Sequence, residues 1–204
     1  MPKAIDDFLP LVAGQITGCP DALLRDAVRE AAIEFCDRTR VLSEPVELTT
    51  TVGDPVVDLY LDYGEVSTVE AVRRGDTLLE PLSRRVFLER SLDHITGPAR
   101  AYYLEADNRL RIGPVPDTAE TLIATVAARP SDTTLSLPDE LYRDWRLPLA
   151  AGARAYIRAI HQAWFEPRLE ALDRERFERG VAQAETRRAR GGTRRPLRTH
   201  GRYF

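Results

Sequence analysis

Apolar residues recur three or four positions apart near the start of the chain, which is the spacing of one face of a helix. Over residues 20–39 charged side chains cover the opposite side, and Pro20 and Asp21 suit a helix start, so we predict an amphipathic helix there. A shorter stripe over residues 5–12, interrupted by Pro10, predicts an earlier short helix. The apolar positions of the longer helix are Leu23, Leu24, Ala27, Val28, Ala31, Phe35 and Cys36.

From Ser43 onward the pattern changes to the alternation of apolar and polar residues that is typical of half-buried strands. Residues 74–76, an Arg-Gly-Asp sequence, have the composition of a hairpin turn. Residues 85–90 fit either a weak strand or a short helix. Tyr102 and Tyr103 would face opposite sides of one strand, so at least one of them is a candidate for the surface. The predicted strands of this small antiparallel β unit cover residues 46–52, 56–61, 66–72, 77–82, 100–105, 109–112 and 122–128.

Helical spacing returns after Pro138 and continues to Trp164. We predict that Pro148 kinks this helix or separates residues 138–147 as a short helix of their own. The predicted buried face comprises Leu141, Trp145, Leu149, Ala153, Tyr156, Ile157, Ile160 and Trp164. A last helix over residues 168–188 has a thin apolar stripe of Leu169, Leu172, Phe177, Val181 and Ala184. A charged side that faces solvent or another subunit is expected from Glu166, Glu170, Asp173, Arg174 and Arg176.

These elements predict an α+β fold. Neither pair of terminal helices can bury its apolar stripe alone, so we expect one antiparallel helical bundle with the small antiparallel β domain inserted between its halves. Gly191 and Gly192 end the last helix and begin an extended basic C-terminal arm. The predicted parts are the N-terminal helices of the bundle (1–42), the inserted β domain (43–136), the C-terminal helices of the bundle (137–190) and the arm (191–204).

Composition is ordinary for a soluble globular protein. The 204 residues are 43% hydrophobic and 30% charged, which suits one core, or one core with a small satellite. No apolar run approaches the roughly twenty residues that span a bilayer, and the first ten residues lack the pattern of a signal peptide, so we expect neither. Cys19 and Cys36 are too few for a zinc site and favour a reduced, cytosolic setting.

The search for catalytic chemistry yields no convincing site. His94, His161 and His200 are scattered along the chain, and no glycine-rich phosphate loop is present. Asp139 and Glu140 are better explained as helix N-terminal residues that complement the helix dipole than as a hydrolytic carboxylate pair. We therefore predict no catalytic residue, no cofactor and no metal site, in a protein that is not an enzyme.

The last eighteen residues, Arg187–Phe204, carry seven arginines and no acidic residue, although the whole chain has a net charge of −3. This tail has too few apolar residues to form a core of its own. It fits nucleic-acid binding, in which arginines neutralise phosphates, or docking in a groove of a protein partner with Tyr203 and Phe204 as anchors. A disordered tail that only promotes solubility is the third interpretation.

Short motifs occur in a defined order and spacing along most of the chain. They are FLPLV (8–12), GCP (18–20), AAIEFCDRT (31–39), GP (97–98), LRIGPVP (110–116), ARP (128–130), LP (137–138), RPLR (195–198) and RYF (202–204). Together they resemble the head-to-tail adaptor proteins of tailed bacteriophages, also called head completion or connector proteins. The β unit is larger than in the smallest all-helical adaptors.

This resemblance implies a structural virion protein in the neck between head and tail, assembled in the host cytoplasm. It implies a ring, usually of twelve copies, below the portal, which extends the DNA channel and provides the platform for tail attachment. The implied partners are the portal protein, a downstream tail, nozzle or tail-completion protein, and further copies of the chain; DNA passes without sequence-specific binding, and no membrane is involved. The implied portal-docking arm comprises Arg194, Arg195, Pro196, Leu197, Arg198, Arg202, Tyr203 and Phe204.

Two alternatives stay open at this point. A DNA-binding module that uses the arginine-rich tail would bind DNA with an affinity that falls steeply with salt. A wall-degrading enzyme delivered with the particle would need a carboxylate pair in a cleft, for which Asp139 and Glu140 are the nearest candidates.

Overall fold

The chain divides into two compact units in the computed structural model. The helical unit contains the described residues up to Val41 and those from Asp132 to Gly191, and the β unit comprises Leu42–Ser131. The described residues are 2–16, 18–61, 63–105 and 108–191. Helices and largely antiparallel sheets make up these residues, which confirms the α+β class.

The regular elements lie close to the predicted segments. In chain order they are β1 (Lys3–Ala4), α1 (Leu9–Ala13), α2 (Asp21–Thr39), β2 (Ser43–Thr49), β3 (Val56–Asp58), β4 (Glu65–Arg74), β5 (Thr77–Leu78), β6 (Glu80–Pro81), α3 (Arg84–Glu89), β7 (Ala101–Glu105), β8 (Arg109–Gly113), β9 (Thr121–Arg129), β10 (Ser136–Leu137), α4 (Asp139–Ala159) and α5 (Pro167–Ala189). A 3-10 turn, Ile5–Phe8, precedes α1. The pairing of β1 with β10 was not predicted, because two-residue strands carry no periodic signal.

Three long helices share one aromatic core in the helical unit. The ring of Phe35 on α2 lies 5.4 Å from that of Trp145 on α4 and 6.1 Å from that of Phe177 on α5. Gly152 on α4 makes this approach possible, because a β-carbon there would lie 2.6 Å from the Phe177 ring. The aromatic side chains therefore fill space that a larger residue at 152 would occupy.

Helix α4 runs through Pro148 without a break, so the alternative of a separate short helix over residues 138–147 is wrong. A proline inside a helix removes one hydrogen bond and crowds the preceding turn. The ring of Pro148 packs against Gly180 of α5, where a β-carbon would lie 2.4 Å from the Pro148 Cβ. Tight packing between the two helices thus offsets part of the local cost.

The predicted buried face of α4 extends too far. The helix ends at Ala159 because Ile160 has an extended backbone, so Trp164 lies in the bend that follows rather than on the helix. Tyr156 is exposed, although helical spacing predicted that it is buried. It lines a surface groove beside Glu30 and Arg174, which periodicity alone cannot distinguish from the core.

The β unit contains two four-stranded sheets, with strand orders β2-β9-β4-β5 and β3-β8-β7-β6. Neighbouring strands of these sheets are antiparallel except β6 and β7, which are parallel. The single strand predicted over residues 77–82 is in fact β5 and β6 in different sheets, separated by the buried Leu79. The shared apolar core includes Leu48, Val57, Val66, Val72, Tyr102, Leu110, Ile112, Leu122, Ala124 and Val126.

Both tyrosines of β7 are buried, with exposed fractions of 3% for Tyr102 and 7% for Tyr103, so neither is the predicted surface residue. Tyr102 belongs to the core, whereas Tyr103 lies on the other face beneath α3. The Phe87 ring of α3 makes an edge contact with the Tyr103 ring at 5.0 Å, and Gly113 leaves room for it. Residues 85–90 are therefore mainly helical, and this helix covers the outer face of the sheet.

Candidate functional site

The most distinctive feature of the helical unit is a buried ionic cluster between α4 and α5. Asp173 of α5 is fully buried, and Arg154 and Arg158 of α4 are almost fully buried around it. Arg154 donates from Nε and Nη2 to the two oxygens of Asp173 at 3.1 and 2.9 Å, and Arg158 donates to Oδ2. The Asp173 carboxylate thus accepts a forked pair and a further charge-assisted bond in one buried place.

Arg154 and Arg158 also donate hydrogen bonds to backbone carbonyl groups of the N-terminal segment. Arg154 Nη1 donates to the carbonyl oxygen of Leu11 at 2.8 Å, and Arg158 Nη2 donates to that of Gln15 at 3.1 Å. Two buried cations face one buried carboxylate, so the partial negative charges of these carbonyl groups help to balance the cluster. The cluster therefore connects α1 and the turn after it to α4 and α5.

The chemistry of this cluster supports a structural role rather than acid–base catalysis. Arginine stays protonated in proteins, so neither guanidinium group can act as an acid or base. Both oxygens of Asp173 already accept hydrogen bonds from these side chains and from Arg176, whose Nη1 lies 3.2 Å from Oδ1. Removing one partner of a buried ion pair typically costs about 3–5 kcal/mol, because the other charge stays buried and uncompensated.

The sequence interpretation placed Asp173 on a solvated or subunit-facing side, and this is wrong because its carboxylate is buried. The buried positions of α5 are Asp173, Phe177, Gly180, Val181 and Ala184. Asp173 precedes Phe177 by four residues, so it continues the apolar stripe by one helical turn. A lone carboxylate in line with an apolar stripe is the signal that identifies such a residue from sequence.

A basic groove lies beside the cluster, between α1, α4 and α5. It has a volume of about 830 Å³, and its lining includes Arg154 and Arg176 of the cluster. Pro148, Ala151 and Gly180 provide an apolar floor. The arginines that line it are Arg143, Arg146, Arg154, Arg176 and Arg179, against one acidic residue, Asp144. Positive charge around an apolar floor suits an acidic partner with an apolar anchor.

Ion pairs also join α2 to α5 on the opposite side of α5. Arg38 donates to both oxygens of Glu178 at 2.7 and 2.5 Å, and Arg174 donates to Glu34 at 3.4 Å. The hydrogen bonds from Arg38 hold the pKa of Glu178 below its ordinary value. Arg38 and Glu178 are 38% and 45% exposed, so solvent screens the pair and its stabilising effect is small.

The histidines predicted to be non-catalytic do not converge on a nucleophile in the part of the chain that the structure describes. His94 is exposed, with its Nε2 3.6 Å from Asp93, and His161 stacks on Phe165 at 4.2 Å between ring centroids. His200 lies outside the described residues. Asp139 and Glu140 occupy the first turn of α4, as the dipole argument predicted.

Metal ligands are likewise not grouped in the described residues, where no three His, Cys, Asp or Glu side chains form a possible cation site. Cys36 is buried and Cys19 is partly buried, and burial raises the pKa of both thiols. A raised pKa keeps a thiol protonated and therefore poor as a metal ligand or nucleophile. Across the described ranges, no helix has the length and apolar character needed to cross a membrane.

The portal-docking residues predicted from sequence, which begin at Arg194 and end at Phe204, lie outside the described residues. The structure therefore brings together a different set, the buried cluster and the basic groove. Neither was singled out from the sequence, because both depend on side-chain contacts between separate helices. Arg154 and Arg158 are four residues apart on α4, which places them on one helix face next to α5.

Comparison with protein families gives one match, which covers nearly the whole chain. A family model described as SU10 adaptor protein matches residues 4–199, and so spans both the helical unit and the β unit. No individual protein of curated function matches the chain at a significant level. The resemblance seen in the motifs is thereby confirmed, and the chain belongs to the SU10 adaptor family, a family of bacteriophage head-to-tail adaptor proteins.

Proposed function

We propose that this protein forms a closed ring in the neck of the virion, below the portal, where it extends the DNA channel and provides the attachment platform for the tail. A structural head-to-tail adaptor role follows from the family, which is not an enzyme family. The observation that carries the proposal is the extent of the match, residues 4–199 of 204. We propose twelve copies, joined by head-to-tail contacts that close by rotation.

The C-terminal arm, residues 191–204, is proposed to dock on the portal. Four arginines in this arm supply charge without an acidic neighbour, and the chain ends on an aromatic pair. Arginine and aromatic side chains are the residue types that dominate binding energy at protein interfaces. The proposed docking residues are Arg194, Arg195, Pro196, Leu197, Arg198, Arg202, Tyr203 and Phe204.

The remaining chain is proposed to act as a spacer within the ring. In this arrangement the terminal helices, residues 1–42 and 137–190, form an antiparallel bundle, and residues 43–136 are a domain inserted in it. The aromatic contacts among α2, α4 and α5 and the cluster around Asp173 support a bundle that keeps one shape. The downstream partner is a tail, nozzle or tail-completion protein, and DNA passes through the channel without sequence-specific binding.

The test is to image the protein mixed with the portal protein of the same phage, with and without residues 194–204. We expect rings on the portal for the full chain and none for the truncated chain. A matched control replaces the same residues by a Gly-Ser segment of equal length, which keeps the chain length but removes charge and aromatic rings. Rings that form equally well in all three proteins would overturn the docking role of the arm.

DNA binding by the arginine-rich tail, residues 187–204, is the second candidate function, because these eighteen residues carry seven arginines and no acidic residue. Each phosphate neutralised by an arginine releases counterions, so the logarithm of affinity should fall by about 0.9 per contact for each tenfold rise in salt. An electrophoretic shift assay with full-length and truncated protein measures this slope. DNA binding that depends on the arm, together with unchanged assembly on the portal, would favour this second function.

A further inference from the structure

The chain contains a long acidic stretch within the β unit. Residues 42–72 carry seven acidic residues and no lysine, arginine or histidine. In this stretch Asp58 ends β3, and Tyr60 lies in the connection between β3 and β4; both residues are exposed. Tyr60 is 79% exposed, and its hydroxyl group donates to Asp58 Oδ2 at 3.3 Å. An acidic group and an aromatic ring are therefore presented together to solvent.

The part of this connection next to Tyr60 is anchored to the β unit. Leu59 is buried, and its N–H donates to the carbonyl oxygen of Asn108 at 2.8 Å. Gly64 has a φ of 71°, and a β-carbon there would lie 2.1 Å from the carbonyl oxygen of Arg129, so the backbone passes too close for any side chain. Tyr60 thus directly follows an anchored residue, and fixing a binding residue in advance lowers the entropic cost of association.

The basic groove of the helical unit has the complementary character. Its arginines Arg143, Arg176 and Arg179 each bond one carboxylate on their own helix, but their side chains are 64%, 57% and 64% exposed. A guanidinium group has five N–H donors, so each keeps donors available on the exposed side. Leu147, which lines the groove, is 64% exposed. The groove therefore combines uncovered apolar surface with an excess of positive charge.

We propose that Asp58 and Tyr60 of one copy dock in the basic groove of the next copy. In this contact the tyrosine ring lies on the apolar floor, and the carboxylate faces Arg146 and Arg179. The two surfaces are different parts of the same chain, so the contact is head-to-tail and repeats from copy to copy. The inference rests on the ring proposed above and assigns the surfaces that close it.

A charge reversal in the groove tests the contact. We expect wild-type protein at low salt to sediment as a concentration-dependent mixture of monomer and oligomers, and as monomer at about 1 M salt, where the Debye length is only about 3 Å. The R146E/R179E variant should associate at least about tenfold more weakly, as expected for interface hot spots. The matched control R84E/R85E makes the same change in net charge on α3 and should associate like the wild type.

A charge swap tests the pairing itself. D58R alone should associate poorly, because the reversed charge at the end of β3 then repels the native groove. An equimolar mixture of D58R and R146E/R179E should recover oligomers, because each reversed surface then meets a surface of opposite charge. Tyr60→Ala should weaken association, whereas Tyr60→Phe, which keeps the ring, should preserve most of it. Circular dichroism on each variant checks that the fold is intact.

Several outcomes would overturn the pairing. These are wild-type protein that stays monomeric at low salt, equal losses in the control variant, and a mixture that fails to recover. The fourth is a groove reversal that abolishes binding of duplex DNA but leaves self-association unchanged, which would assign the groove to nucleic acid. Imaging on the portal separates this inference from the proposed function: rings built equally well from R146E/R179E would remove the pairing alone, whereas a wild type that never forms rings would remove both.

Discussion

The helical unit buries three charged side chains, Arg154, Arg158 and Asp173, whereas the described residues of the β unit bury apolar side chains and one threonine, Thr50. The β unit encloses its core between two sheets, and its stability is spread over many similar contacts. The fold of the helical unit depends on the charge balance around one carboxylate, Asp173. An apolar core loses stability in proportion to the atoms removed, but an ionic cluster loses its balance when a single partner is removed.

The largest effect is expected at the cluster. Asp173→Asn keeps the shape of the side chain but leaves two buried guanidinium groups without their counter-charge, so the free energy of unfolding should fall by about 3–5 kcal/mol. Urea unfolding followed by circular dichroism measures this change. Glu175→Gln, at an exposed position on the same helix, is the control and should change stability by less than about 0.5 kcal/mol. Equal effects at both positions would contradict the comparison.

In the β unit, Leu110→Ala removes a fully buried side chain from between the two sheets. The unfolding free energy should fall by about 3 kcal/mol, from lost burial and the cavity that remains. Unlike the effect at Asp173, this loss should not depend on salt concentration, because no charge is involved. Chemical denaturation at low and high salt checks both points, and a strong salt dependence would show that the two interiors do not differ in this way.

A smaller effect is expected where α4 and α5 touch. Alanine at position 180 would place its β-carbon 2.4 Å from Pro148, so Gly180→Ala should cost about 1–3 kcal/mol despite the higher helix propensity of alanine. The double variant with Pro148→Gly should recover part of this loss, because it removes the Cβ and Cγ atoms of residue 148 that the new β-carbon would clash with. Thermal melting of the two single variants and the double variant provides the test, and purely additive effects would exclude the contact as the cause.

The smallest effect concerns the exposed pair between α2 and α5. Arg38 depresses the pKa of Glu178 in the folded state, so the pair stabilises the fold above the pKa of unfolded glutamate and this contribution is lost as pH falls through the lower, folded pKa. At neutral pH, Glu178→Gln should cost only about 0.5 kcal/mol, because the pair is screened. The difference in unfolding free energy from wild type should shrink in acid and in high salt. A difference that grows below pH ~4 would mean that the folded pKa of Glu178 is not depressed.

Periodicity was enough to find α2, whose predicted and observed limits differ by about one residue, and most strands of the β unit. It works there because each element buries one regular face. It was insufficient for Tyr103, because alternation along β7 does not show that α3 covers the second face of this strand. Periodicity was also insufficient for Tyr156, which lies on the predicted apolar face of α4 but lines a surface groove.

The candidate sites were harder to predict, because they depend on contacts between distant residues. Asp173 was assigned to the surface from its charge, and only its partners on α4 explain its burial. Those partners lie nineteen and fifteen residues away in sequence. The basic groove combines residues from α1, α4 and α5, so its charge cannot be identified from any single segment. The family, in contrast, could be identified from the order and spacing of short motifs, because these are properties of the sequence itself and require no knowledge of side-chain contacts.

The two strands through which the chain enters and leaves the β unit are neighbours. Ser43 of β2 is opposite Ala127 of β9, and the N–H of Ala128 donates to the carbonyl oxygen of Leu42 at 2.8 Å. The roughly ninety residues of the β unit therefore begin and end on two paired neighbouring strands. If the β unit were lost or exchanged, the two chain ends to be rejoined would already lie side by side. Insertion, deletion or replacement in the middle of such a chain is therefore compatible with an unchanged fold of its terminal helices.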